Sequence, residues 1–156
     1  MAVGHFMTNI GKLRLIEGRW NTGGIYDFRI GLIQSAQPVG LDTAGEIADL
    51  NNLTDLLVTA GVVEATFTNY TRKNLQRTAA SEDDANNIVA LNATSVLWTY
   101  AGQGTGNTLY GAFIYDASDD ATDSSRILIS IDWFYAPVAT VGSDLTYSIS
   151  NLYRIS

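Results

Sequence analysis

Thr108-Leu-Tyr-Gly-Ala-Phe-Ile-Tyr-Asp116 and Arg126-Ile-Leu-Ile-Ser-Ile-Asp-Trp-Phe134 are two long runs rich in β-branched and aromatic residues, and they flank a polar, acidic loop, Ala117–Ser125. Side chains of this kind suit a pleated, half-buried surface, so each run reads as a long strand. Two such strands around a polar loop set the expectation for the rest of the chain, which is mainly antiparallel β.

Working outward, the pattern repeats in shorter form. Leu145, Tyr147 and Ile149 alternate with Thr146 and Ser148 over Leu145–Ser150. Ile88–Leu91 and Ser95–Tyr100 read as short strands joined by Asn92-Ala-Thr94, and Val62–Asn69 reads as another. Tyr26, Phe28, Ile30 and Leu32 share one face of a strand over Tyr26–Gln34, with Asp27, Arg29 and Gly31 on the other, which predicts one buried face. Asn74–Asn87, with its acidic run Glu82-Asp83-Asp84, reads as a loop, and Trp20-Asn-Thr-Gly-Gly24 as a turn. Many short, evenly spaced strands in one domain spanning 1–156 predict an α+β, mainly antiparallel β-sandwich, jelly-roll-like in one version, with one or two short helices.

The helix signals are local. Thr43-Ala-Gly-Glu46 matches a capping box, and Ile47, Leu50, Leu53 and Leu57 follow at helical spacing up to Gly61, a residue suited to a left-handed helix end. Asn51 and Asn52 are poor helix formers, so this helix has to dock its leucine face. Phe6, Ile10 and Leu13 predict a short helix within 1–17, weakened by Gly11, and an extended arm is the alternative.

Composition narrows the function classes. The chain has 156 residues, 16% of them charged, and no cysteine, which removes disulfides, thiolate metal sites and Cys nucleophiles. No apolar run nears the roughly 20 residues of a membrane span, and Met1–Ile10 lacks the layout of a signal peptide, so neither a membrane partner nor a leader is expected. Residues 1–78 carry seven basic and seven acidic side chains, whereas 79–156 carry two and nine, which accounts for the net −7. That second half would repel phosphate, and Arg72, Lys73 and Arg77 form a basic cluster that reads as a solvated loop, so no nucleic-acid partner is expected.

A search for reactive groups yields little. His5 is the single histidine and sits near the start, where a base would lack rigid support. Glu64, Asp116 and Asp132 are the candidate carboxylates, and alternation sets Asp132 on the face opposite Ile131 and Trp133, toward solvent or an interface. Asp116, Asp119, Asp120 and Asp123 offer oxygens that a hard cation such as Ca²⁺ accepts, but the spacing lacks the alternating ligands and central glycine of an EF-hand loop. Gly102-Gln-Gly-Thr-Gly106 has no following lysine and opens no helix, so it fails both phosphate-loop templates. No catalytic residue, metal site or cofactor is assigned. Trp20, Trp98 and Trp133, with Tyr100, Tyr110, Tyr115 and Tyr135, serve as core, as protein interface or as a sugar-stacking surface. Phe6, Trp20 and Tyr135 are the candidate interface residues.

Asn69-Tyr-Thr-Arg72, Leu91-Asn-Ala-Thr-Ser-Val-Leu-Trp-Thr99, and Tyr110-Gly-Ala-Phe-Ile-Tyr-Asp116 followed by Ile127-Leu-Ile-Ser-Ile-Asp132 carry a resemblance. They resemble, in turn, the Tyr-x-Arg element, the Ala-Asp-Asp-Val-x-Trp-Thr strand entry and the Ala-Val-Ile-Tyr strand of small virion structural proteins of tailed bacteriophages. The likeness covers about two-thirds of the chain, and its motifs are structural. It departs at Asp132-Trp133-Phe134-Tyr135, where the family ending is more polar, and in the added tail Leu145–Ser156. What the resemblance implies is a non-enzymatic capsid cement or decoration protein on the outer surface of the virion. Its partners would be the major capsid protein and copies of itself, as a trimer or other homo-oligomer. The alternatives are a tail-, neck- or fibre-associated protein and a carbohydrate- or receptor-binding module.

Overall fold

The computed structural model describes residues 4–17, 27–78, 81–85, 88–91, 93–118, 122–149 and 153–155. It is an α+β structure in which the ladders among the described residues are all antiparallel. Ten strands are described: β1 (Gly4–Met7), β2 (Phe28–Ile33), β3 (Lys73–Asn74), β4 (Ser81–Asp83), β5 (Ile88–Leu91), β6 (Val96–Ala101), β7 (Thr108–Asp116), β8 (Ile127–Ala139), β9 (Ser143–Tyr147) and β10 (Tyr153–Ile155). They form a five-stranded sheet in the order β1-β8-β7-β2-β3, a three-stranded sheet β10-β5-β4, and a two-stranded ribbon β6-β9.

The two long runs are β7 and β8, paired at the centre of the large sheet, where both faces are buried. Ala112 and Ile114 of β7 join Phe28, Ile30 and Leu32 of β2 and Val96 and Trp98 of β6 in one core cluster. Phe113 and Tyr115, one residue out of phase, join Ile33, Leu128, Ile131 and Trp133 in the second, with Leu41, Ile47, Leu53, Leu56 and Val62. The expectation of one buried face for the strand around Phe28–Leu32 is therefore corrected. Gly31 is buried on the other face, where a Cβ would lie 2.2 Å from the Phe113 ring, so the absent side chain is the space that ring fills.

A register shift between Ile114↔Ser130 and Tyr115↔Leu128 leaves Ile129 as an extra residue, a β-bulge. Ile129 thereby joins the first cluster while Leu128 and Ile131 stay in the second. The bulge also seats the N-terminal segment. Thr8 donates its N–H to the Ile129 carbonyl (3.0 Å) and its hydroxyl to the Leu128 carbonyl (2.6 Å), and accepts from the Gly11 N–H (3.0 Å). Thr8 is thus the N-cap of helix α1 (Asn9–Ile16). The segment within 1–17 is neither one helix nor one arm but a strand, a cap and a helix. Leu13 and Ile16, expected or available for burial, are exposed. Buried Gly11 lets the helix approach so closely that a Cβ there would meet the Ile129 carbonyl at 2.8 Å.

The capping box closes as expected: Thr43 accepts from the Glu46 N–H, and Glu46 accepts from the Thr43 N–H at 3.0 Å. The helix it starts, α2 (Ala44–Ala48), stops there rather than running to Gly61. Asp55 accepts from the N–H groups of Asn51 and Asn52, and Asn52 Oδ1 accepts from the Asp55 N–H, so this pair caps a new start. The freed backbone bonds to β8 and its approach instead, with Leu53 N–H on the Arg126 carbonyl and Leu128 N–H on the Asn51 carbonyl. A π-helical turn, Asp55–Thr59, follows, and Gly61 adopts φ +70° as its position requires.

Two further expectations fail. Val62–Asn69 follows the end of β2 at Val63–Ala65 with one isolated bridge, Ile33↔Glu64, then turns at Thr68–Asn69, and is not a strand. Within 74–87, expected as loop, β3 ends and β4 pairs Glu82 and Asp83 with Val89 and Ile88. Ile88–Leu91 and Val96–Ala101 are strands, but in different sheets.

Candidate functional site

Beyond Trp133, β8 leaves the core. Gly111 pairs with Trp133 and Leu109 with Val138, so one β7 residue, Tyr110, faces four of β8: Phe134, Tyr135, Ala136 and Pro137. Surplus residues in one strand must arch out of the ladder. Pro137, which has no N–H to give, fits such an irregular place. The arch leaves Tyr135 93% exposed, with Val138 also exposed.

Under the arch lies an open groove of about 100 Å³, lined by Ala36, Gln37, Tyr110, Trp133, Phe134, Tyr135 and Pro137. Its lining carries no charged side chain among the described residues. Val39, on the loop that supplies Ala36 and Gln37, is fully exposed. Two lining side chains hold polar atoms without a partner: Trp133 Nε1 and Gln37 Oε1. Gln37 spends its Nε2 on the Leu41 carbonyl at 2.5 Å.

Of the residues expected at an interface, Tyr135 lines this groove. Phe6 lies elsewhere, opposite Ile131, half-buried against the second core cluster. Trp20 lies outside the described residues. Tyr110 and Trp133, weighed from the sequence as core, interface or sugar-stacking surface, also line the groove, with Ala36, Gln37 and Pro137, which the sequence does not point to. The signal available for them was the run Trp133-Phe-Tyr135 followed by Pro137, which breaks strand alternation where a bulge falls.

The candidate carboxylates do not converge. Asp132 pairs with Ala112 in the middle of the β7–β8 ladder and Asp116 with Ile127 at its end; the four-residue offset from Ala112 to Asp116 is roughly 13 Å of strand. That is wider than the roughly 5–9.5 Å of glycosidase acid pairs. Asp132 faces away from Ile131 and Trp133 as alternation requires, but toward the ribbon rather than open solvent. It accepts from Tyr147 of β9, and its Oδ1 lies 2.7 Å from Nδ1 of His5 on β1. Burial, then the Asp132 charge, pushes the Tyr147 phenol far above its ordinary range. Asp116 is buried and accepts from the Ser118 N–H at 2.9 Å.

Glu64 belongs to an ionic cluster. It accepts from Tyr70 (2.6 Å) and from Arg72 Nε and a terminal nitrogen (2.8 and 2.7 Å). Arg72 also donates to Asp123 (2.8 Å), which accepts from Arg126 (2.8 Å). The Arg72 guanidinium lies 5.3 Å from the Tyr115 ring centre and that of Arg126 lies 5.7 Å from it. Burial opposes the Arg72 charge, but the hydrogen bonds it donates to Glu64 and Asp123 outweigh it and hold the guanidinium protonated. Hydrogen bonding to Arg72, then to Arg126, holds the Asp123 carboxyl below its ordinary range. The expected solvated basic loop is, at Arg72, a clasp between the segment after Gly61 and the acidic loop. Of that loop's acids, Asp116 and Asp123 are committed to these contacts, and Asp119 and Asp120 lie outside the described residues.

No protein-family model, curated protein or solved structure matches the chain.

Proposed function

We propose that the chain is a structural protein of a tailed-bacteriophage virion, a cement or decoration protein that binds major capsid subunits from outside and stabilises the shell without catalysis. In this reading the five-stranded sheet and the β6–β9 ribbon are the two leaves of a sandwich around the first core cluster. The observation that carries it is the arch Phe134–Pro137, which turns an uncharged aromatic surface out of a sheet whose centre is otherwise buried. Exposed Tyr with adjacent Trp is the composition of interface hot spots. The sequence resemblance over Asn69–Asp132 supports the same role. So does the acidic second half, which suits an outward face and disfavours packaged DNA. A standard contact buries about 1,600 Å², and several per copy on a repeating shell add through avidity.

The test is the heat stability of particles assembled without this protein. They are expected to form and to rupture at lower temperature, with recovery on adding the purified chain. Particles that lack it yet survive heating as well as complete ones would overturn the cement role.

A further inference from the structure

We infer that the Asp132 carboxylate is a shared latch, through which the N-terminal strand β1 and the β6–β9 ribbon hold to the large sheet together and let go together. No ladder joins the two elements among the described residues: β1 pairs with β8, and β9 pairs with β6. Asp132 bridges them. It stands on β8 opposite His5 of β1. Its Oδ1 lies 2.7 Å from His5 Nδ1, and its Oδ2 accepts from the Tyr147 hydroxyl of β9. Each carboxylate oxygen thus serves a different element.

The coupling follows from what it costs to place a carboxylate there. The Asp132 side chain is only 18% exposed. A largely buried carboxylate is unfavourable unless donors surround it, and fixing its rotamer costs entropy. Two donors offset both costs jointly, so neither hydrogen bond is independent of the other. When β1 lifts, Oδ1 loses its donor and the side chain is free to turn toward water, which takes Oδ2 away from Tyr147. Burial, then the Asp132 charge, keeps the Tyr147 phenol protonated far above its ordinary range, so it remains a hydroxyl that needs an acceptor. Covered without one, it destabilises the docked ribbon. The Tyr147 ring, 5.9 Å from that of Phe134, packs with it against the first core cluster and passes the loosening on.

Such coupling is reciprocal. A partner that grips the ribbon fixes the N-terminal strand, and one that lifts that strand loosens the ribbon. The inference concerns the free chain and stands apart from the capsid reading.

The test is amide hydrogen exchange, followed by NMR on the free, full chain and read in the strand that is not mutated. His5→Ala is expected to speed exchange in β9 by about tenfold, and Tyr147→Phe, which keeps the ring beside Phe134, to speed it in β1 by a similar factor. Exchange at Ala112–Ile114, in the centre of β7, should stay within about twofold of the parent. Asp132→Ala should open both strands. Unchanged exchange in the unmutated strand overturns the inference, as does equal acceleration at Ala112–Ile114, which would report opening of the whole chain. An Asp132→Ala chain in which only one of the two strands exchanges faster overturns it as well.

Discussion

The two halves of β8 are one continuous strand with opposite fates. Leu128–Ile131 is buried on both faces between β1 and β7, and its single bulge at Ile129 is consumed by Thr8. Phe134–Pro137 has four residues opposite one of β7, and from Tyr135 onward it opens to solvent. In the first half a surplus residue is absorbed by a neighbouring element that needs its carbonyls. In the second, β9 takes up only Phe134, through Tyr147, and the strand turns the rest outward. A bulge is therefore a seat or a display according to what lies beside it.

The comparison breaks most visibly with Ile131→Ala. Removing a fully buried side chain from the inner half is expected to cost about 2–5 kcal/mol in denaturant unfolding; a cost near zero would mean that the inner half is not core. Arg72→Met follows, at roughly 3 kcal/mol, because it leaves Glu64 and Asp123 without their shared cation. Gly11→Ala is expected to cost about 1–3 kcal/mol by forcing α1 off the Ile129 carbonyl, and an unchanged midpoint would show that the inner bulge is not tightly occupied.

The pH dependence is smaller. The Asp123 carboxyl is lowered in the folded chain, so its contribution is complete above the pH at which the unfolded carboxyl titrates and is lost as pH falls through the lower folded value. Asp123→Asn should flatten the acid limb of stability against pH; an unaltered limb would remove Asp123 from the account. The smallest stability effect belongs to the outer half. Tyr135→Ser should stay within about 0.5 kcal/mol of the parent in thermal unfolding while losing attachment to particles.

Much of this frame was legible along the chain. The bounds of β7, the capping box at Thr43 and the turn at Gly61 rest on patterns a few residues long, and they appear where the residues put them. The clasp at Arg72 was misread as solvated loop because its partners, Glu64 and Asp123, lie 8 and 51 residues away. The long helix failed at Asn51 and Asn52, whose weak propensity was visible but whose alternative bonds to Asp55 and β8 were not.

By itself the sequence determined that the stretches of β2, β5, β6, β7, β8 and β9 are strands, and that the acidic charge gathers in the second half, because these follow from side-chain shape and period. Only the tertiary structure decided that both faces of the large sheet are covered, that Glu82 and Asp83 pair in a strand, and that Tyr135 stands outside while Trp133 is buried. Those outcomes depend on ladder register between distant segments. A surplus residue in one strand has no meaning until its partner is known.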